Sequence, residues 1–75
     1  MTIHNIKILP EYFSAVVDGR KTFEIRYDDR NYKEGDTVVL KEWENGKYTG
    51  YQVKKTIGFI TDFEQHPGFK VFSLK

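Results

Sequence analysis

Apolar and polar residues change rhythm several times along this chain, and each change marks an element. From Ile3 to Leu9, Ile6 and Ile8 alternate with Asn5 and Lys7, the two-residue period of a half-buried strand; Ile3 and Leu9 fall on the polar register. His4 shares the face of Ile6 and Ile8, which predicts a partly buried histidine with a satisfied ring. Pro10 then opens a helix at a position where its missing N–H is harmless, and Glu11 complements the helix dipole in the first turn. Phe13, Val16 and Val17 follow at helical spacing, and Gly19 is the expected left-handed cap. Barely two turns long, such a helix persists only by packing on a sheet.

The next strand is predicted over Thr22–Tyr27. Alternation puts Phe23 and Ile25 on the side expected to enter the core and Thr22, Glu24 and Arg26 on the other, with Lys21 at the strand's mouth. A charged loop, Asp28–Asp36, closes at Gly35-Asp36. The third strand, Thr37–Trp43, carries Val38-Val39-Leu40, a run expected to be deeply buried. Asn45-Gly46 is a strong signal for a two-residue hairpin turn. Tyr48–Ile60 exceeds an ordinary strand, and Gly50 and Gly58 predict bulges or bends within it. Thr61–Gly68 reads as a loop and Phe69–Leu74 as the last strand. No repeat, linker or low-complexity segment interrupts the 1–75 span, which reads as one domain.

Seventy-five residues bury only ~60% of the surface their unfolded chain exposes, so the core must be economical. With no cysteine, neither a disulfide nor a thiolate–zinc staple is available, and the aromatic share of 16% must supply the bulk. No charged-then-apolar leader and no run of ~20 apolar residues is present, so the expectation is a cytoplasmic protein without a membrane partner. Twelve basic and 11 acidic residues leave a net charge of +1. That balance argues against bulk coating of nucleic acid and favours a local patch or a pocket for one nucleotide.

The stretch Gly19-Arg20-Lys21-Thr22-Phe23-Glu24-Ile25-Arg26 also resembles the Gly-x-Lys-x-x-Glu-x-Arg signature of ASCH domains, members of the PUA-like superfamily. More of the chain is similar to a small branch of that superfamily found in phages and their hosts. The matching landmarks are His4-Asn5-Ile6-Lys7, Pro10-Glu11-Tyr12-Phe13, Asp29-Arg30, Gly35-Asp36, Leu40-Lys41-Glu42-Trp43 and Lys47-Tyr48-Thr49-Gly50. Asp28 departs from it, standing where the branch usually has Asn. The resemblance implies a mainly β (α+β) fold, a small PUA-like barrel of about five strands with one short helix after the first strand. It also implies a polar cleft between helix and barrel that receives RNA or a modified nucleotide or nucleoside. The ligand-binding residues expected on that basis are His4, Lys7, Lys21, Glu24, Arg26, Asp29 and Arg30.

Residue chemistry divides the work. Arg26 offers a planar fork of donors for phosphate or carboxylate, or clamps Glu24; Glu24 can accept from the amino and ring N–H groups of a base. Tyr12, Tyr27, Tyr32, Trp43 and Tyr48 are candidates to stack on a base, although most aromatics in so small a chain must serve the core. His4 and His66 are the sole histidines, and no carboxylate spacing matches a metal motif, so no metal and no cofactor is expected. The six glycines are dispersed, forming no phosphate cradle, and neither Ser14 nor Ser73 sits in a nucleophile elbow.

Two alternatives stand beside the binding module. Some ASCH proteins are amidohydrolases of acetylated cytidine that use a lysine, a threonine and a glutamate. Lys21 matches the lysine, but Glu24 occupies the threonine's position and no later glutamate aligns, which weighs against catalysis. The other alternative is a phage-related protein-interaction domain whose Asp28–Glu34 loop meets a protein partner.

Overall fold

The computed structural model describes all 75 residues, Met1–Lys75. The elements are β1 (Ile3–Ile8), α1 (Pro10–Val17), β2 (Phe23–Tyr27), β3 (Thr37–Glu44), β4 (Lys47–Thr61) and β5 (Phe69–Leu74). Five strands form one mixed sheet in the order β1-β3-β4-β5-β2. β1 runs parallel to β3, and every other pairing is antiparallel. The 15-residue β4 serves both halves: its first part pairs with β3 and its last part with β5.

Both predicted bulges are present in β4. Between the pairs Lys41↔Gln52 and Trp43↔Tyr48, β4 advances farther than β3, around Gly50, whose φ of +99° is costly for a residue with a Cβ. Between Ile57↔Leu74 and Ile60↔Phe72 it carries one extra residue, beside Gly58. Extra residues on one strand increase its local twist and bend it, which lets one strand leave the first half-sheet and enter the second. The Asn45-Gly46 turn has positive φ at both positions, as a type I′ hairpin requires.

The sheet curls but does not close into the expected barrel. β1 and β2 are its two edges, and no backbone ladder joins them. Side chains from the β2 side span the gap instead: Arg26 Nη2 donates to the Lys7 carbonyl and Arg30 Nη1 to the Asn5 carbonyl. Strands in a ladder stand ~4.8 Å apart, so guanidinium groups reaching across mark an edge held open by side-chain volume.

The core gathers Ile6, Ile8, Val16, Tyr32, Val38, Leu40, Ile57, Phe72 and Leu74. Leu40 and Val38 are fully enclosed, as the apolar run predicted, and burying Leu40 contributes ~1.5–3 kcal/mol. The helix meets the core through Val16 and the half-buried Phe13; Val17, expected in the same stripe, is exposed because the helix ends there. Gly19 adopts the expected positive φ of +85°.

One expectation is reversed. Phe23 and Ile25 are 45% and 50% exposed, while Glu24 between them is buried at 4%. Glu24 pairs across to Phe72, one of the most enclosed core residues, so the charged face of β2 turns inward. A one-residue change of facing exchanges every side chain of a strand between core and solvent. Here the inward charges are neutralised locally, which makes the exchange tolerable.

Candidate functional site: a charged cleft between two strand edges

The open seam between β1 and β2 is a cleft of about 530 Å³, floored by the end of β1 and the start of α1. Its apolar wall is Ile8, Leu9, Tyr12, Phe23 and Ile25; its charged wall is Lys7, Lys21, Glu24 and Arg26. Three local causes deliver these four charged residues. Lys7 points from an edge strand, on the face opposite the core residues Ile6 and Ile8. Lys21 is held at the helix exit, where its N–H donates to the Ala15 carbonyl at 2.9 Å. Glu24 and Arg26 share the inward face of β2.

Glu24 is the centre of this set. Lys21 Nζ donates to its Oε1 at 2.6 Å and Arg26 Nε to its Oε2 at 2.8 Å. A carboxylate this enclosed is stable only when both oxygens are satisfied, and two cations satisfy them. Lys21 also donates to the Phe23 carbonyl and stands 4.6 Å from the centre of the Phe23 ring. Lys7 Nζ lies 4.0 Å from the centre of the Trp43 ring. Three cations against one carboxylate leave the cleft positively charged, although the whole chain is nearly neutral. Such a cleft attracts an anion while its tyrosine, phenylalanine and aliphatic wall accepts a flat apolar body.

The other expected site residues lie elsewhere. His4 is buried away from the cleft, with its Nε2 2.9 Å from Asp36 Oδ2 and its ring 4.7 Å from that of Tyr32. Asp36 also accepts from the backbone N–H groups of Thr2 and Lys33, each at 3.2 Å. The His4 hydrogen bond and then the Thr2 N–H hold the Asp36 carboxyl below the usual carboxylate range. An ionised carboxylate only accepts, which assigns the proton of this bond to His4 Nε2. Asp29 is exposed and touches Arg30 at 3.8 Å. Arg30 braces β1 through the Asn5 carbonyl outside the cleft.

Tyr32 packs between His4 and Phe72, and burial raises its phenol. It is a core aromatic, with no face free for a base. Tyr12 is the one stacking candidate that lines the cleft. Asp28 accepts the Tyr32 N–H through Oδ1 at 3.0 Å, a bond that fixes the start of the loop and that an amide oxygen would accept equally.

Asp36 stands out in the sequence as the end of a charged loop and as part of the Gly35-Asp36 landmark, with no sign of its partner. Its partnership with His4 spans 32 positions, and no local spacing signals it. The apolar wall was likewise hidden, because Phe23 and Ile25 read as core. No group of three His, Asp or Glu side chains converges in a way that holds a metal ion.

A relative described as "Uncharacterized 12.9 kDa protein in GpA 3'region", from Escherichia phage P2, is 45% identical over 60 residues. The match takes in 80% of this chain but 55% of the relative, so the chain spans about half that protein's length. The family model described as Domain of unknown function (DUF3850) matches residues 3–74, and the chain belongs to that family.

Proposed function

We propose that this chain is a small RNA- or nucleotide-binding module, an open relative of the PUA-like barrel working in the cytoplasm, whose ligand enters the cleft between α1 and the edges of β1 and β2. The observation that carries the reading is that Lys21 and Arg26 both bind the buried Glu24 in a cleft that Lys7, Tyr12 and Phe23 also line. Arg26 uses Nε on Glu24 and Nη2 on the Lys7 carbonyl, leaving Nη1 for a phosphate oxygen. The Lys7 ammonium makes no hydrogen bond and has only the Trp43 ring beneath it, so a second phosphate contact is free to form. The half-exposed Tyr12 offers a ring for the base.

Amide hydrolysis of an acylated nucleoside is less well supported. It requires a proton acceptor, and both Glu24 oxygens are occupied by cations. The Asp28–Glu34 loop is partly tied down, by Tyr32 in the core and by Arg30 and Glu34 bracing β1 and β4, which leaves less of it free for a protein partner.

An amide-resolved NMR titration with the four nucleoside 5′-monophosphates and a short single-stranded RNA tests the proposal. Shifts should cluster on Lys7, Tyr12, Lys21, Glu24 and Arg26, and Arg26→Ala should abolish them. Shifts confined to the Asp28–Glu34 loop, or none with any ligand, would reject it.

A further inference from the structure

The cleft opens at Lys7 onto the outer face of β1, β3 and β4. Register places Lys7 opposite Lys41, Lys41 opposite Gln52, and Lys54 opposite Val39, so the three lysines share one side of the sheet. Trp43 and Tyr48 continue that side, paired across the hairpin with ring centres 4.8 Å apart. α1 packs on the opposite side through Val16, within the core; on this side Val39 is buried and Lys41 and Trp43 are partly covered, while Lys7, Tyr48 and Lys54 are exposed. The outward positions of the three strands, odd-numbered in β1 and β3 and their partners in β4, include no Asp or Glu. In a chain of net charge +1, that is a segregation of charge.

We propose that this face is a track for single-stranded nucleic acid, with Lys7, Lys41 and Lys54 contacting successive phosphates and Tyr48 stacking on a base. The proposal rests on the reading of the cleft as a nucleotide site and extends it: one nucleotide enters the cleft, and the strand leaves over Lys7. Charge complementarity selects the occupant. Cations beside an exposed aromatic ring on a strand surface suit a polyanion whose bases are unpaired, since every base has a face to stack. Tyr48 is half exposed, with Lys41 Nζ 5.8 Å from its ring centre, so an aromatic and a cation are offered side by side. A duplex hides its base faces and would use the lysines alone.

Trp43 is the single tryptophan of the chain and touches Tyr48, so its fluorescence reports on this face. Titrations with UMP, a ten-nucleotide oligo(U) and a ten-nucleotide oligo(dT), followed by Trp43 fluorescence and by anisotropy of end-labelled oligomers, test the track. Both oligomers should bind more tightly than UMP, and RNA against DNA separates contacts to the 2′-hydroxyl from those to phosphate and base. Three phosphate contacts give a slope of log K against log salt of about −2, a loss of roughly 20-fold between 50 and 200 mM salt. The double variant Lys41→Gln/Lys54→Gln should weaken the oligomers at least tenfold and flatten the slope to about −0.7, with UMP unaffected. Lys41→Arg should keep the parent's affinity. Where UMP binds, oligomer binding that ignores the double variant, or that is no tighter than UMP, would overturn the track and leave the cleft reading intact; no binding of UMP or of either oligomer would overturn both. Oligomer binding that responds to Lys41 and Lys54 while UMP fails to bind would support the track and reject the cleft.

Discussion

Glu24 and Asp36 are buried to the same depth, each 4% exposed, and yet the chain surrounds them differently. Asp36 accepts from one ring nitrogen and two backbone N–H groups, and it ties the chain's first residues to the loop before β3. Glu24 is held by two long side chains alone, at the wall of a cleft. Backbone donors are positioned by the fold and cannot leave without unfolding it. Lysine and arginine side chains can re-aim when a ligand brings a competing anion. Equal burial therefore conceals a structural knot in one place and a carboxylate held by adjustable side chains in the other.

Removing the knot should have the largest effect. Asp36→Ala leaves His4 Nε2 and two backbone N–H groups without their acceptor, so urea and thermal midpoints should fall farther than for any substitution at the cleft. A midpoint equal to the parent's would break the comparison outright. Acid sharpens the same point. Because the folded-state pKa of Asp36 is depressed, its contribution is present above the ordinary carboxylate range and is lost as pH falls through the lowered value, below about pH 4. Asp36→Asn should remove that part of the acid-dependent decline, measured as denaturation midpoint against pH.

The cleft should respond in the opposite proportion. Glu24→Gln keeps the shape and loses the charge, with an expected loss of ~1–3 kcal/mol in folding stability. Nucleotide binding should weaken about tenfold, or ~1.4 kcal/mol, as Arg26 and Lys21 lose their common anchor. Unchanged binding with reduced stability would make Glu24 a second knot. The smallest effect belongs to an exposed pair, Asp18 with Arg20 at 2.9 Å, formed within one turn of chain. The Arg20 hydrogen bond lowers the Asp18 carboxyl, but solvent surrounds both groups. Asp18→Asn should leave the thermal midpoint unchanged within error.

Much of the fold was legible in local pattern. The β1 alternation, the Pro10 helix start, the Val38-Val39-Leu40 run, the Asn45-Gly46 hairpin and both bulges of β4 appear where spacing and turn chemistry put them. Each depends on neighbours within a few residues, so each is written in a short window of sequence. The site was legible in part: Lys7, Lys21, Glu24 and Arg26 meet in one cleft, whereas His4, Asp29 and Arg30 do not line it.

The facing of β2 runs against its hydrophobic pattern for a physical reason. Alternation says that Phe23 and Ile25 oppose Glu24 and Arg26; it does not say which pair faces inward. Hydrophobicity favours burying the apolar pair, and that preference yields only where charged partners meet inside. Those partners, Lys21 and Arg26 on Glu24 with the Lys7 carbonyl beyond, converge only once β2 has docked across from β1.

The amino-acid sequence by itself determined the elements, their turns, the bends of β4 and the existence of a charged set at the helix–strand junction, because propensity, periodicity and turn geometry act locally. Only the tertiary structure decided that the sheet stays open between β1 and β2, that β2 turns its charges inward, and that His4 joins Asp36 in the interior. Those outcomes depend on which distant groups meet and on whether a buried charge finds its counter-charge. Both are properties of the assembled fold.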